Sequence, residues 1–137
     1  MRQAGVLCSF FAGTVCIATM ACNAGQETRI YAVSAGGNAE HGRKLIRDYG
    51  CGSCHYIPGV AGARGMVGPP LLYFNQRTMI AGELANTPEN LVRWIENPKS
   101  VEPKTAMPDL GLSEEQAYDI AAYLYTLNEP KGMQWGE

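Results

Sequence analysis

The sequence predicts an all-α fold, and three observations carry that prediction. Three stretches place apolar residues at helical spacing, each opens on a residue suited to cap a helix N-terminus, and no run alternates apolar and polar residues over a strand's length. The chain has 137 residues, 46% of them apolar, which bounds it to one small domain once the N-terminal segment is set aside. A core that small is marginal by itself, so a large rigid apolar group for short helices to pack around would couple its own binding to folding.

Residues 1–22 read as a secretory signal: Met1-Arg2 carries the one early positive charge, and Val6 to Ala21 is apolar or small with no charge. That run is about 16 residues, short of the ~20 expected of a spanning helix. Cys8, Cys16 and Cys22 lie in or beside it, so the remainder keeps only Cys51 and Cys54 and no disulfide framework. Thr19-Met20-Ala21-Cys22 resembles the lipobox of bacterial lipoproteins, although Thr19 stands where Leu, Val or Ile is usual. Two readings stay open here, a lipid anchor at Cys22 or cleavage after Ala21 or Ala24 to leave a soluble protein; both make the chain exported and periplasmic.

Residues 23–37 are a polar linker. The first helix begins with Asn38 as N-cap and runs to about Tyr49, with Leu45, Ile46 and Tyr49 on one face and Arg43, Lys44, Arg47 and Asp48 on the other. Gly50 then turns the chain. Pro58 to Gly68 is glycine-rich without apolar periodicity and reads as an irregular loop, closed by Gly68-Pro69-Pro70-Leu71. Thr87-Pro88-Glu89 starts the second helix, with Thr as N-cap, Pro at N1 and a carboxylate at the positive end of the dipole; Leu91, Val92, Trp94 and Ile95 follow, and the helix stops at Asn97-Pro98. Ser113-Glu114-Glu115-Gln116 forms a capping box for the last helix, whose apolar face holds Ala117, Ile120, Ala121, Tyr123, Leu124 and Leu127. The domain therefore spans residues 38–128, with 129–137 a tail.

Between the first two helices lies Cys51-Gly-Ser-Cys54-His55, two thiols three positions apart followed directly by an imidazole. That order is the signature of covalent haem attachment: each thiol adds to one vinyl group, and the following histidine sits under the iron as an axial ligand. A redox dithiol wants a βαβ context and a zinc site wants a second Cys or His pair. No cysteine follows position 54 and no histidine follows position 55, so neither alternative fits. The prolines after Gly68 give a stiff extended backbone whose carbonyls have no helical partner, and such a carbonyl suits the Nδ1 proton of His55.

An iron with one histidine needs a second axial partner or keeps an open face. His41, the other histidine, lies on the polar side of the first helix and reads as a solvated surface residue. Lysine or an empty position stays open. Among the methionines beyond the leader, Met107 alone combines a following proline, a loop between two helices and enough chain to wrap around a haem; Met66 and Met79 read as packing residues, and Met133 lies in the tail.

The segment from about Asn38 to Leu127 resembles a class I monohaem cytochrome c. The elements that carry the likeness, in order, are Cys51-x-x-Cys54-His55, Gly68-Pro69-x-Leu71, Met107-Pro108, and terminal helices bearing Gly42 and Tyr123. The resemblance implies the class I fold, short helices and loops around one covalently attached haem c. It implies cofactor contacts at Cys51, Cys54, His55, Pro69 and Met107, with His55 and Met107 on the metal and the Pro69 carbonyl bonded to His55. It further implies that the terminal helices cross at Gly42 and Tyr123 beside Ile46 and Ile120, and it offers Tyr73, Arg77 and Trp94 as candidate propionate contacts, with a surface cation and ordinary core aromatics as the other reading.

The expected function is one-electron transfer in a respiratory chain, not enzymatic catalysis, with a terminal oxidase or a dehydrogenase as redox partner and no nucleic acid. The likeness extends to the cytochromes, and cytochrome domains of oxidase subunit II, that feed haem–copper oxidases. A permanent place in such a complex is the alternative, and a haem peroxidase or gas sensor is the more distant one. A dihaem peroxidase would need a second Cys-x-x-Cys-His, and the cytochromes c′ carry theirs near the C-terminus. Charge is uneven: residues 62–107 set Arg64, Arg77, Arg93, Lys99 and Lys104 against four glutamates, whereas from Pro108 onward one lysine faces six acids. Such asymmetry could orient the molecule on an acidic partner, or be no more than a solvated surface.

Overall fold

A computed structural model of the chain describes residues 36–127. The signal segment 1–22 with Cys22, all but the end of the linker, and the tail with Met133 lie outside the described residues. Four helices carry the domain: α1 Ala39–Asp48, α2 Pro88–Glu96, α3 Pro98–Val101 and α4 Glu114–Tyr125. Single 3₁₀ turns stand at Cys51–Ser53 and Phe74–Gln76.

Each longer helix begins where its capping chemistry dictates. Asn38 Oδ1 accepts from the Glu40 and His41 N–H groups, both at 3.1 Å. Thr87 Oγ1 accepts from Asn90 N at 3.3 Å, with Pro88 at N1. At α4 the box closes in both directions, Gln116 N to Ser113 Oγ at 3.3 Å and Ser113 N to Gln116 Oε1 at 3.0 Å. The helix expected to stop at Asn97-Pro98 does stop there, yet the chain restarts at once as α3. Asn97 ends α2 through its own N–H to Arg93 O and caps α3 through Oδ1 to Ser100 N at 3.1 Å.

The sequence offered no strand, but the described residues hold a small antiparallel pair, β1 Met79–Ile80 with β2 Leu84–Ala85. The loop between them is Ala81-Gly82-Glu83, whose first two residues lie in the left-handed region (φ +54° and +82°), with Glu83 N donating to Ile80 O at 3.0 Å to close the turn. Two-residue strands are too short for alternation to register.

The core lies where α1 and α2 pack onto α4. Leu45 and Ile46 from α1 and Leu91, Val92 and Ile95 from α2 meet Ile120, Ala121, Leu124 and Tyr125. Ala117, Ala121 and Ala122 are fully buried, and their small side chains let both neighbours approach α4 closely. The α1–α4 crossing turns on Gly42, where any Cβ would run into the backbone of Asp119. Tyr123 stands one turn further along α4 and reaches past α1, its hydroxyl donating to Pro58 O at 2.6 Å. Burial raises the pKa of that phenol, which keeps it a donor.

A second tie joins the start of α1 to α4. Asp119, 6% exposed, accepts the Asn38 N–H at 2.5 Å through Oδ1, and its Oδ2 lies 2.6 Å from His41 Nδ1. His41 faces solvent as its helix position implied, but it carries a carboxylate partner that the sequence did not suggest, because the two residues are far apart in the chain.

Candidate haem-binding site

Gly50, at φ +70°, ends the descent from α1 and starts the 3₁₀ turn that carries the thiols. Cys54 N and His55 N both donate to Cys51 O, at 3.2 and 3.0 Å, so Cys51, Cys54 and His55 share one tight turn. Cys51 and Cys54 are free thiols, each half-buried. Burial, the largest influence on Cys51, pushes its thiol pKa up and keeps it neutral at physiological pH.

The loop from Pro58 to Leu71 folds back over this turn. Gly65 N donates to Gly52 O at 2.9 Å and Gly68 N to Cys54 O at 2.8 Å, so the loop backbone lies directly on the motif. A Cβ at Gly68 would fall on the His55 ring, which explains glycine there. His55 Nδ1 lies 2.8 Å from Pro69 O, within hydrogen-bond distance, and Leu71 N donates to Tyr56 O at 2.8 Å. With Nδ1 engaged, Nε2 is the ring nitrogen left to meet a metal.

Met107 is half-buried in the loop joining α3 to α4, its N–H donating to Thr105 Oγ1 at 3.2 Å, with Pro108 next. Trp94 is half-buried against the core on α2. Tyr73 is 42% exposed. Arg77 is half-buried and turns its guanidinium onto Pro70 O and Leu72 O, with Cζ 5.4 Å from the Phe74 ring centre. Burial draws its pKa down from an ordinary value high enough to leave it charged. Reading Met66 and Met79 as packing residues is overturned: they are 92% and 45% exposed. Met66 projects outward because Gly65 and Gly68 on either side bond inward to the motif.

Sequence reasoning missed Asn86. Its side-chain amide donates to Phe74 O at 3.0 Å and Arg77 O at 2.9 Å, and its Oδ1 accepts from Tyr125 Oη at 2.9 Å. These partners are scattered along the chain, so no spacing could reveal them.

The residues present fit a covalently held haem: two cysteines on one turn that are not joined to each other, an imidazole oriented by a carbonyl, and a glycine keeping that ring's flank clear. Comparison with known proteins agrees. Residues 39–128 match the family model for cytochrome c. The chain is 37% identical over 90 residues to cytochrome c oxidase subunit 2 of Alkalihalophilus pseudofirmus, covering 65% of this chain and 25% of that protein. It is 33% identical over 85 residues to the Bacillus subtilis protein of the same name, covering 58% of this chain and 24% of that one. Cytochrome c of Dictyostelium discoideum is 32% identical over 108 residues, covering 67% of this chain and 93% of that protein. The chain thus spans about a quarter of the length of the oxidase subunits and nearly all of the cytochrome. It belongs to the cytochrome c family, whose members are electron carriers with covalently attached haem c.

Proposed function

We propose that this chain is an exported one-electron carrier of a respiratory chain that delivers electrons to a terminal oxidase. The observation that carries the reading is the His55–Pro69 contact at 2.8 Å beside the paired thiols, an arrangement that orients an axial imidazole toward a fixed haem. Haem c, when bound, supplies a single-electron iron couple. Cys51 and Cys54 hold it through thioethers. His55 would hold the iron through Nε2, with Nδ1 retained by Pro69 O. Met107 would hold it through its thioether sulfur, a neutral soft ligand that favours the ferrous state. With protein groups in both places, no substrate would reach the metal and few atoms would need to move when an electron passes.

Export through residues 1–22, and a lipid anchor at Cys22 as one form of it, belong to this proposal. A permanent place in an oxidase complex is the second reading, favoured by the likeness to oxidase subunit 2 of two bacteria. To test the carrier role, the purified haem-loaded protein is reduced and mixed with a haem–copper oxidase under oxygen. Rapid reoxidation that depends on the oxidase, without carbon monoxide binding, is the expected result. Carbon monoxide binding by the ferrous protein together with peroxide turnover would refute it, whereas stoichiometric copurification with an oxidase would favour the subunit reading.

A further inference from the structure

Between the Gly68 and Leu71 N–H bonds to the motif, the prolines at 69 and 70 have no N–H of their own, so this stretch can be held further only through its carbonyls. The Arg77 guanidinium does this at Pro70 O and Leu72 O, on either side of Leu71 and directly after the carbonyl facing His55. Asn86 in turn fixes Arg77. Its amide holds Phe74 O and Arg77 O, which bracket the Phe74–Gln76 turn, and its own N–H donates to Thr78 O at 3.0 Å. Tyr125, 1% exposed on α4, holds the amide in place by donating to Asn86 Oδ1 and packs edge-on against Phe74, ring centres 5.9 Å apart. Rotating the amide by half a turn would put its oxygen against two carbonyls, so Phe74 O and Arg77 O specify its orientation and leave Oδ1 facing the Tyr125 hydroxyl.

We propose that Asn86 and Tyr125 are positioning residues for the axial histidine, holding the Pro69 carbonyl against His55 through Arg77 and so setting how strongly the imidazole donates to iron. The inference rests on His55 ligating the haem, as proposed above. A firm Nδ1–H···O=C bond makes the imidazole a stronger donor and stabilises the ferric state. Loosening the Tyr125–Asn86 pair lets the carbonyl drift and weakens that bond, which moves the couple toward ferrous. A purely structural loosening that admits water would act the other way, because a wetter pocket stabilises the extra charge of ferric iron.

The test uses the haem-loaded full chain as wild type, Tyr125→Phe, Asn86→Asp and the double variant. Two quantities are read: the ferrous-to-ferric ratio at one fixed ambient potential, and the proton resonance of His55 Nδ1–H in the ferrous protein. Tyr125→Phe removes one oxygen and keeps the ring, so it carries the test even where Asn86→Asp fails to fold. The expected result for Tyr125→Phe is a several-fold rise in the ratio and an upfield move of the resonance; Asn86→Asp also adds an anion that favours ferric iron, so it is read by the resonance alone, and the double variant moves that resonance no further than Asn86→Asp does. An unmoved resonance, whether the ratio is unchanged or has moved toward ferric, would overturn the proposal. A wild type whose haem lacks histidine ligation would overturn it together with the reading of the site, and the wild-type spectrum alone distinguishes that case.

Discussion

At the scale of single residues, the site is held by contacts too close to tolerate extra atoms. Gly68 lies flat against the His55 ring. Gly68→Ala should therefore turn the imidazole or push the proline loop away, weakening the axial bond; the expected outcome is loss of part of the low-spin absorption with haem still attached, read by spectrum and mass together. Cys51 supplies a second prediction. Because burial raises its thiol pKa, haem-free protein that keeps this fold, as checked by circular dichroism, should alkylate slowly at Cys51 at neutral pH and faster as pH climbs past the ordinary thiol value of about 8.5. Rates from site-resolved mass spectrometry check this. The attachment motif was legible because Cys51, Cys54 and His55 are close in the chain, whereas Pro69 was named through the family resemblance; its carbonyl lies 2.8 Å from His55 Nδ1. Asn86 was not legible, since an asparagine acquires meaning only from the Phe74, Arg77 and Tyr125 groups that folding brings to it.

At the scale of elements, the helices were legible to within a residue or two because their caps are written at fixed offsets: Asn38, Thr87 and Ser113 each bond an N–H two or three positions on. The α3 turn and the β1–β2 pair were hidden for opposite reasons. One follows a proline that announces an ending, and the other is built on Ala81, a residue that gives no turn signal. The joints between elements carry the testable energetics. Gly42→Ala forces a methyl into the Asp119 backbone, and overpacking of this kind costs about 1–3 kcal/mol in denaturant unfolding. Tyr123→Phe removes the bond to Pro58 and should cost about 1 kcal/mol near neutral pH. Its pH dependence has a definite sign. The folded-state pKa is raised, so the phenol's contribution is whole below the unfolded value of about 10 and is lost as pH rises through the higher folded value. The wild type should lose stability in that alkaline window more steeply than Tyr123→Phe, measured by unfolding at pH 9 to 12.

At the scale of the whole molecule, a domain this small is completed by what it encloses. The helices pack as the all-α patterning in the sequence anticipated, and His55 and Met107 stand on two separate loops of the domain. Charge is uneven along the chain: exposed Arg64, Arg93, Lys99 and Lys104 share residues 62–107 with exposed Glu83 and Glu89, whereas Asp109, Glu114 and Glu115 are exposed beyond it. Electron transfer to an acidic partner should slow as ionic strength rises, and a stopped-flow rate indifferent to salt would remove the steering argument. The central claim is that the iron is closed on both faces by this chain's own residues, His55 and Met107. The most direct measurement is the absorption spectrum of the exported, haem-loaded protein as wild type and as Met107→Ala. The account predicts a low-spin wild type with a methionine-to-iron band that the substitution abolishes. A high-spin wild type that binds carbon monoxide readily, or a band that survives the substitution, would contradict it.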